Sequence, residues 1–265
     1  MKKLLHFPCR KLALLLLSSA VPAVSSRADD YAFQFDGAKD WVDTAITGSQ
    51  LAGSELTVEF WFRGSNIQSA FHLQALANGD RIVCGSGPAA TPVHRIRIGG
   101  VDYDVPIDGK VHDGNWHHVA LTYKQNTTGG IISYVDGTAN PVTRNAPNAA
   151  IPVIPADVIL GSFNGVSEFT SGRIDEMRIW KKARTAADIF DAWQSRPAFK
   201  GSETGLTGYF GFNEADGNEV ANLAGGAPAV IQAADSVIRY GRVAQDLTFA
   251  ALQRAVQFSA NILPA

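Results

Sequence analysis

Two acidic residues, Asp175 and Glu176, stand side by side in the segment GRIDEMRIW, whose other residues indicate a buried strand. Adjacent carboxylates could serve catalysis, bind a metal ion or form a structural pair. A retaining glycosidase needs two carboxyl groups facing each other across the sugar bond, but successive residues of a regular strand point to opposite faces. Ile174 is out of step with Met177 and Ile179, as an extra residue at a β-bulge would produce. All three alternatives stay open, and a bulge explains the motif without any function.

Histidine and cysteine could provide a zinc site or a nucleophile. His117 and His118 are adjacent on a predicted strand, so their side chains point to opposite faces and cannot easily share one ion. The other histidines show no ligand spacing, and Cys84 in RIVCGSG has no plausible catalytic partner. We therefore predict neither a zinc site nor covalent catalysis.

Aromatic side chains in turn-rich segments are candidates for sugar binding, because a flat ring can cover the apolar side of a pyranose while nearby polar groups fix its orientation. Tyr103 lies in GGVDYDVP beside Asp104, and Phe163 lies in GSFNGVSEF beside Asn164. These four residues are the predicted ligand-binding set.

The elements that must position these residues are mostly short strands. Apolar and polar residues alternate in TVEFWFR, NWHHVALTYK and IISYVDG, and the last segment ends in Asp136-Gly137, a pair suited to a tight hairpin turn. Strands separated by about ten residues favour an all-β sandwich. One short helix is predicted after Thr185 as a lid, with an apolar face formed by Ala187, Ile189, Phe190 and Trp193.

The N-terminus combines basic residues, an apolar run and a small-residue end, which is typical of a cleavable secretory signal at residues 1–28. The rest divides into a domain at 29–240 and a tail or pair of closing strands at 241–265. Loss of Cys9 with the signal leaves Cys84 alone, so no internal disulfide is predicted. A net charge of −2 argues against nucleic-acid binding, and the apolar run is too short for a membrane span.

Six segments in order resemble the laminin-G-like, concanavalin A-like jelly-roll domains over residues 31–233: FDGAKDWV, TVEFWFR, DGNWHHVALTYK, SYVDG, FTSGRIDEMRIWKKARTAADI and GLTGYFGFNEADGN. The resemblance implies a two-sheet antiparallel jelly-roll sandwich in which the first strand lies beside the strand of Asp175, so that Asp36 comes close to it. It also implies that these two carboxylates could hold a structural calcium ion. The jelly-roll hydrolases carry Glu-x-Asp-x-Glu or Glu-x-Asp-x-x-Glu on one strand, and Asp175 and Glu176 do not fit either spacing.

The expected function is therefore that of a secreted module, extracellular or periplasmic, that binds a carbohydrate or glycoconjugate without catalysis. Its expected partner is an extracellular glycan or glycoprotein. A protein-binding adhesion or structural module is the first alternative, and a glycoside hydrolase is the second.

Overall fold

Two antiparallel sheets dominate the computed structural model, which describes residues 31–75, 77–87, 90–195, 199–214, 217–232 and 242–244. This confirms the predicted jelly-roll sandwich. The predicted signal at 1–28 lies outside the described residues. No helix in the described part of the chain is long and apolar enough to cross a membrane.

Strands are numbered in chain order. Sheet A has the order β10 (Thr138–Ala139), β9 (Ile131–Val135), β8 (His117–Lys124), β3 (Glu55–Asn66), β12 (Ser171–Trp180), β1 (Tyr31–Asp36) and β16 (Arg242–Ala244). In addition, β13 (Leu206–Phe210) pairs with β12. Sheet B has the order β14 (Glu219–Val220), β15 (Ala229–Gln232), β2 (Trp41–Thr47), β11 (Asp157–Leu160), β4 (Phe71–Gln74), β5 (Arg81–Ser86), β6 (Val93–Ile98) and β7 (Val101–Pro106). The helical elements are α1 (Gly48–Leu51), a 3-10 helix (Gly109–His112) and α2 (Ala186–Ser195). The sequence pattern missed α1, because a single turn is too short to show a helical period.

The core between the sheets follows the period of two seen in the sequence. Val58, Phe60 and Phe62 of β3 point inward and are fully buried, as are Phe71 and Leu73 of β4 on the opposite sheet. The remaining residues of each strand point to an outer face. The molecule therefore has two outer faces, one on each sheet, on which polar side chains can gather.

A β-bulge interrupts β12 where the adjacent carboxylates occur. Asp175 is paired with Trp61 of β3 and Arg178 with Glu59, so β12 contains one extra residue. Glu176 supplies it with φ of +52°, a left-handed conformation that a non-glycine residue adopts at a cost of about 1–2 kcal/mol. The predicted bulge is confirmed. The Glu176 carboxylate accepts hydrogen bonds from Arg178 Nη1 at 3.0 Å and from the hydroxyl of Tyr209 at 2.8 Å.

Glu59 is the centre of a buried ionic network on the outer face of sheet A. Its Oε1 accepts hydrogen bonds from Arg178 Nε and Trp180 Nε1, both at 2.9 Å, and from Arg184 Nη1. Its Oε2 lies 3.6 Å from Nε2 of His118. Burial alone would raise the pKa of Glu59, but Arg178, His118 and Arg184 hold that pKa well below its ordinary value. The side chain therefore stays ionised although it is fully buried.

This network anchors the segment that leads into α2. The Arg184 guanidinium lies 4.6 Å from the ring centroid of Trp180 and donates to the carbonyl of Asp188. Thr185 and Asp188 exchange hydrogen bonds between side chain and backbone, which caps the helix as predicted.

The buried face of α2 differs in part from the predicted one. Ile189 is buried against β8 and β9, and Trp193 is half-buried. Ala187 is exposed, and Phe190 remains 42% exposed where it packs beside the turn at Gly137. The predicted lid is present, and its buried residues pack on sheet A.

Two buried histidines have opposite electrostatic environments. His94 faces the core opposite Cys84, burial lowers its pKa from 6.5 to about 3, and neither ring nitrogen has a hydrogen-bond partner among the described residues. The His117 ring lies 2.9 Å from the Asp136 carboxylate and 3.0 Å from that of Asp113. Burial alone would lower the pKa of His117, but these two carboxylates raise it above its ordinary value.

We predict that Glu59→Gln lowers the free energy of unfolding by about 3–5 kcal/mol, because Arg178 and Arg184 would then be buried without their central counter-charge. Urea denaturation at pH 7 measures this. Glu55→Gln is the matched control on the same face of β3, since Glu55 is half-exposed and lies 3.6 Å from Lys124. The control should change stability by less than about 1 kcal/mol. Equal effects of both substitutions would contradict the central role of Glu59.

His94→Leu should leave stability at pH 7 within about 1.5 kcal/mol of the parent and should flatten its decline in acid. The folded state keeps His94 neutral below pH 6.5, whereas the unfolded chain takes up a proton there, so the parent loses up to about 1.4 kcal/mol per pH unit at this site. Denaturation from pH 7 to pH 4 tests this. His117→Gln should steepen the same decline. Protonated His117 pairs with Asp136 and Asp113, so protonation of His117 stabilises the parent fold as the pH falls. If His94→Leu lost stability in acid as steeply as the parent, His94 would not be a cause of that decline.

Candidate functional site

The outer face of sheet B carries a row of residues that are direct register partners across five strands. The row runs from Ile159 through His72, Val83 and Arg95 to Asp104. Neighbouring strands lie about 4.8 Å apart, so His72 and Asp104 are about 15 Å apart along the row. The row contains the apolar residues Ile159 and Val83, and its residues on β6 and β7 are charged.

A second row runs parallel to the first, two residues further along the strands. It contains Gln74, Arg81, Arg97 and Asp102, again as successive register partners. Side chains two residues apart lie on the same face of a strand. Both rows therefore contribute to one surface, which we call the Arg–Asp face and define by Arg81, Arg95, Arg97, Asp102 and Asp104.

The charges of this face are paired. Arg95 donates two hydrogen bonds to Asp104, at 2.7 and 2.5 Å, and this interaction raises the pKa of Arg95. Asp102 lies 3.2 Å from Arg97, 3.6 Å from Arg81 and 3.9 Å from Arg95. All five side chains are between 22% and 35% exposed, so the pairs fix their geometry while part of each remains accessible. The face thus offers donors and acceptors in fixed positions.

A hairpin at residues 162–168 forms one wall of this surface. Asn164 and Gly165 both have positive φ, and the Val166 amide donates to the Phe163 carbonyl at 3.0 Å, which is a type I′ turn. Phe163 packs edge-on against His72 with ring centroids 4.6 Å apart. A Cβ on Gly165 would lie 2.8 Å from Trp41, so only glycine lets the hairpin lie this close to the sheet.

His72 lies at the base of this wall. It is almost fully buried, and burial, with a smaller contribution from Arg81, lowers its pKa to about 4. The ring is therefore neutral at pH 7. It can support the aromatic wall without adding a charge to the arginines.

The structure brings together three of the four predicted ligand-binding residues. Asp104 belongs to the Arg–Asp face, and Phe163 and Asn164 belong to the hairpin beside it. The fourth, Tyr103, was assigned to the surface wrongly: it lies on β7, where alternation turns its side chain inward, and it packs against the core. The sequence pattern missed Arg81, Arg95 and Arg97, although they occupy alternate positions in RIVCGS and VHRIRI.

The predicted calcium pair does not form one site. β1 lies beside β12 as predicted, but Asp36 is paired with Ser171, four residues and about 13 Å along the strand from Asp175. Asp36 Oδ1 accepts hydrogen bonds from the amides of Ala38, Lys39 and Asp40, whereas Asp175 is fully buried. Calcium needs six to eight oxygen ligands in one place. Among the described residues, no group of three or more His, Cys, Asp or Glu side chains could hold a metal ion.

A Glu-x-Asp-x-x-Glu spacing does occur at Glu214, Asp216 and Glu219. From the sequence, only Asp175 and Glu176 were compared with the hydrolase pattern, and this spacing was missed. Glu214 lies after β13 and accepts a hydrogen bond from the Ala221 amide at 2.7 Å, and Glu219 begins β14. Asp216 lies outside the described residues. The two glutamates do not share a strand, so they lack the arrangement that the hydrolase pattern requires.

Comparisons with solved structures bear on the fold. A protein from Bacteroides ovatus that is proposed to bind carbohydrate superposes with a TM-score of 0.55 at 19% identity, covering 79% of this chain and 61% of that one. A SAP-like pentraxin from Limulus polyphemus gives 0.48 at 13% identity, with coverage of 77% and 95%. Domains LG4–5 of the mouse laminin α1 chain give 0.47 at 16% identity, with coverage of 59% and 43%.

Family membership follows from sequence. No curated protein matches this chain. The laminin G family model described as "Concanavalin A-like lectin/glucanases superfamily" matches residues 36–190, which is more than half of the chain. The protein therefore belongs to the concanavalin A-like lectin/glucanase superfamily.

Proposed function

We propose that this protein is a secreted carbohydrate-binding module without catalytic activity and that the Arg–Asp face, with the hairpin at 162–168, is its glycan site. The observation that carries the proposal is the joint presence of paired arginines and carboxylates and an adjacent aromatic wall. Sugar hydroxyls both donate and accept hydrogen bonds, so they match a surface that presents both kinds of group. The family contains lectins, which supports the same class of ligand.

The carboxylates of this face suit binding better than hydrolysis. A retaining glycosidase keeps one carboxyl group protonated as a general acid and leaves the other free to attack. Asp104 already accepts two hydrogen bonds from Arg95, and Asp102 is surrounded by three arginines. Neither carboxylate is placed to donate a proton, so the residues orient a ligand.

The protein-binding alternative has less support on the described surface. An adhesion surface normally shows a contiguous apolar patch. The large apolar residues that are most exposed lie on separate elements: Val101 on β7, Val166 at the hairpin turn, Phe190 on α2, and Val142, Val153 and Leu223 in loops. A glycan ligand is therefore the first choice.

A glycan array probed with the purified protein tests the proposal. We expect binding to one glycan class, and we expect Phe163→Ala and Arg97→Gln each to weaken it by about tenfold, the loss typical of one aromatic or charged contact. Tyr103→Phe is the control, because Tyr103 faces the core. If the parent protein bound no glycan on the array, the adhesion module would be favoured. If all three variants lost binding equally, the glycan site would not lie on this face.

Calcium should not change stability or binding, since Asp36 and Asp175 do not converge. The thermal midpoint in EDTA and after addition of 10 mM calcium, about a hundredfold above a Kd of about 0.1 mM at the tight end of the range for extracellular modules, measures this. A tightly held ion would stabilise the fold by about 2.7 kcal/mol at that excess. A midpoint that rises with calcium, or array binding that is lost in EDTA, would contradict the prediction and show that the protein binds a metal ion.

A further inference from the structure

Two arginines face each other on the outer face of sheet A, on the opposite side of the molecule from the Arg–Asp face. Arg63 of β3 and Arg173 of β12 are direct register partners, and both are half-buried. Like charges directly opposite each other destabilise a sheet. Burial and the charge of Arg63 together lower the pKa of Arg173. The electrostatic repulsion between the two arginines therefore destabilises the folded protein.

Each guanidinium is held in place by a neutral acceptor. Arg63 Nε donates to the Gly114 carbonyl at 2.7 Å, and Arg173 Nε donates to Gln34 Oε1 at 2.9 Å. The Gln34 amide is itself oriented by donation to the Gly172 carbonyl at 3.3 Å. Both arginines are thus positioned through Nε, which leaves their terminal Nη groups for another partner.

The described residues supply no counter-charge for this pair. Neither guanidinium has a carboxylate within 4 Å in the described part of the chain, and the groups that shift the pKa of Arg173 include no acid. The arginines of the Arg–Asp face and Arg178 all have such partners. Arg63 and Arg173 differ from them in being ordered and yet uncompensated.

We propose that Arg63 and Arg173 form a binding site for one oxyanion group, a carboxylate, sulfate or phosphate. Guanidinium groups bind such oxygens through pairs of parallel hydrogen bonds. Two guanidiniums on adjacent strands can hold one oxyanion between them, which turns their repulsion into attraction. The site lies on the other sheet from the proposed glycan site and does not depend on it.

The test is thermal unfolding of the purified protein titrated with sodium sulfate, sodium phosphate or sodium glucuronate, against sodium chloride at equal ionic strength. At least one oxyanion should raise the midpoint of the parent protein in a saturable way, and the three salts distinguish the chemical group. Arg63→Gln and Arg173→Gln should each weaken the response by about tenfold or more. In chloride alone both variants should melt at the same temperature as the parent or higher, because the repulsion is gone.

Arg144→Gln is the matched control, since Arg144 is exposed, its side chain donates to the Thr143 carbonyl and it carries the same charge. It should keep the response of the parent. Sulfate and phosphate also stabilise proteins non-specifically, so the difference between Arg173→Gln and Arg144→Gln is the decisive quantity. Equal responses in those two variants would overturn the site. A midpoint in chloride that falls in both pair variants would assign the arginines a structural role instead.

Discussion

The ionised carboxylate of Glu59 is the interaction on which the outer side of sheet A depends. An isolated buried charge is very unfavourable, and only well-oriented partners offset the loss of its hydration. Here Arg178 comes from the neighbouring strand and Arg184 from the segment before α2, while Trp180 donates a further hydrogen bond. One side chain thus joins β3, β12 and the segment before α2, and through Arg178 it is linked to Glu176 at the bulge.

The bulge and the network depend on each other. The extra residue at Glu176 shifts the register of β12, so that Arg178 lies opposite Glu59 while Met177 and Ile179 stay in the core. The Glu176 carboxylate then bonds the same arginine. A regular strand would place Arg178 on the core face, where its charge would have no partner. The strained conformation of Glu176 is therefore offset by the ion pairs that it permits.

The two outer faces consequently differ in the elements that pack on them. On sheet A, α2 packs against β8 and β9, and the Arg63–Arg173 pair lies on β3 and β12. On sheet B, the hairpin at 162–168 lies beside the strands, and the arginines and carboxylates of β5, β6 and β7 are between 22% and 35% exposed. A face that combines paired charges with an aromatic wall suits a polar ligand, whereas the buried charges under α2 hold the helix in place.

The sequence by itself determined the strand-rich sandwich, the capped helix after Thr185 and the presence of a bulge, because alternation, turn residues and capping are local signals. Only the tertiary structure decided which side chains meet, because register across strands distant in sequence sets the neighbours. That register separated Asp36 from Asp175, turned Tyr103 into the core, and aligned His72, Arg95 and Asp104 in one row. A single strand shows that alternate residues share a face, but it does not show which other strand lies beside that face.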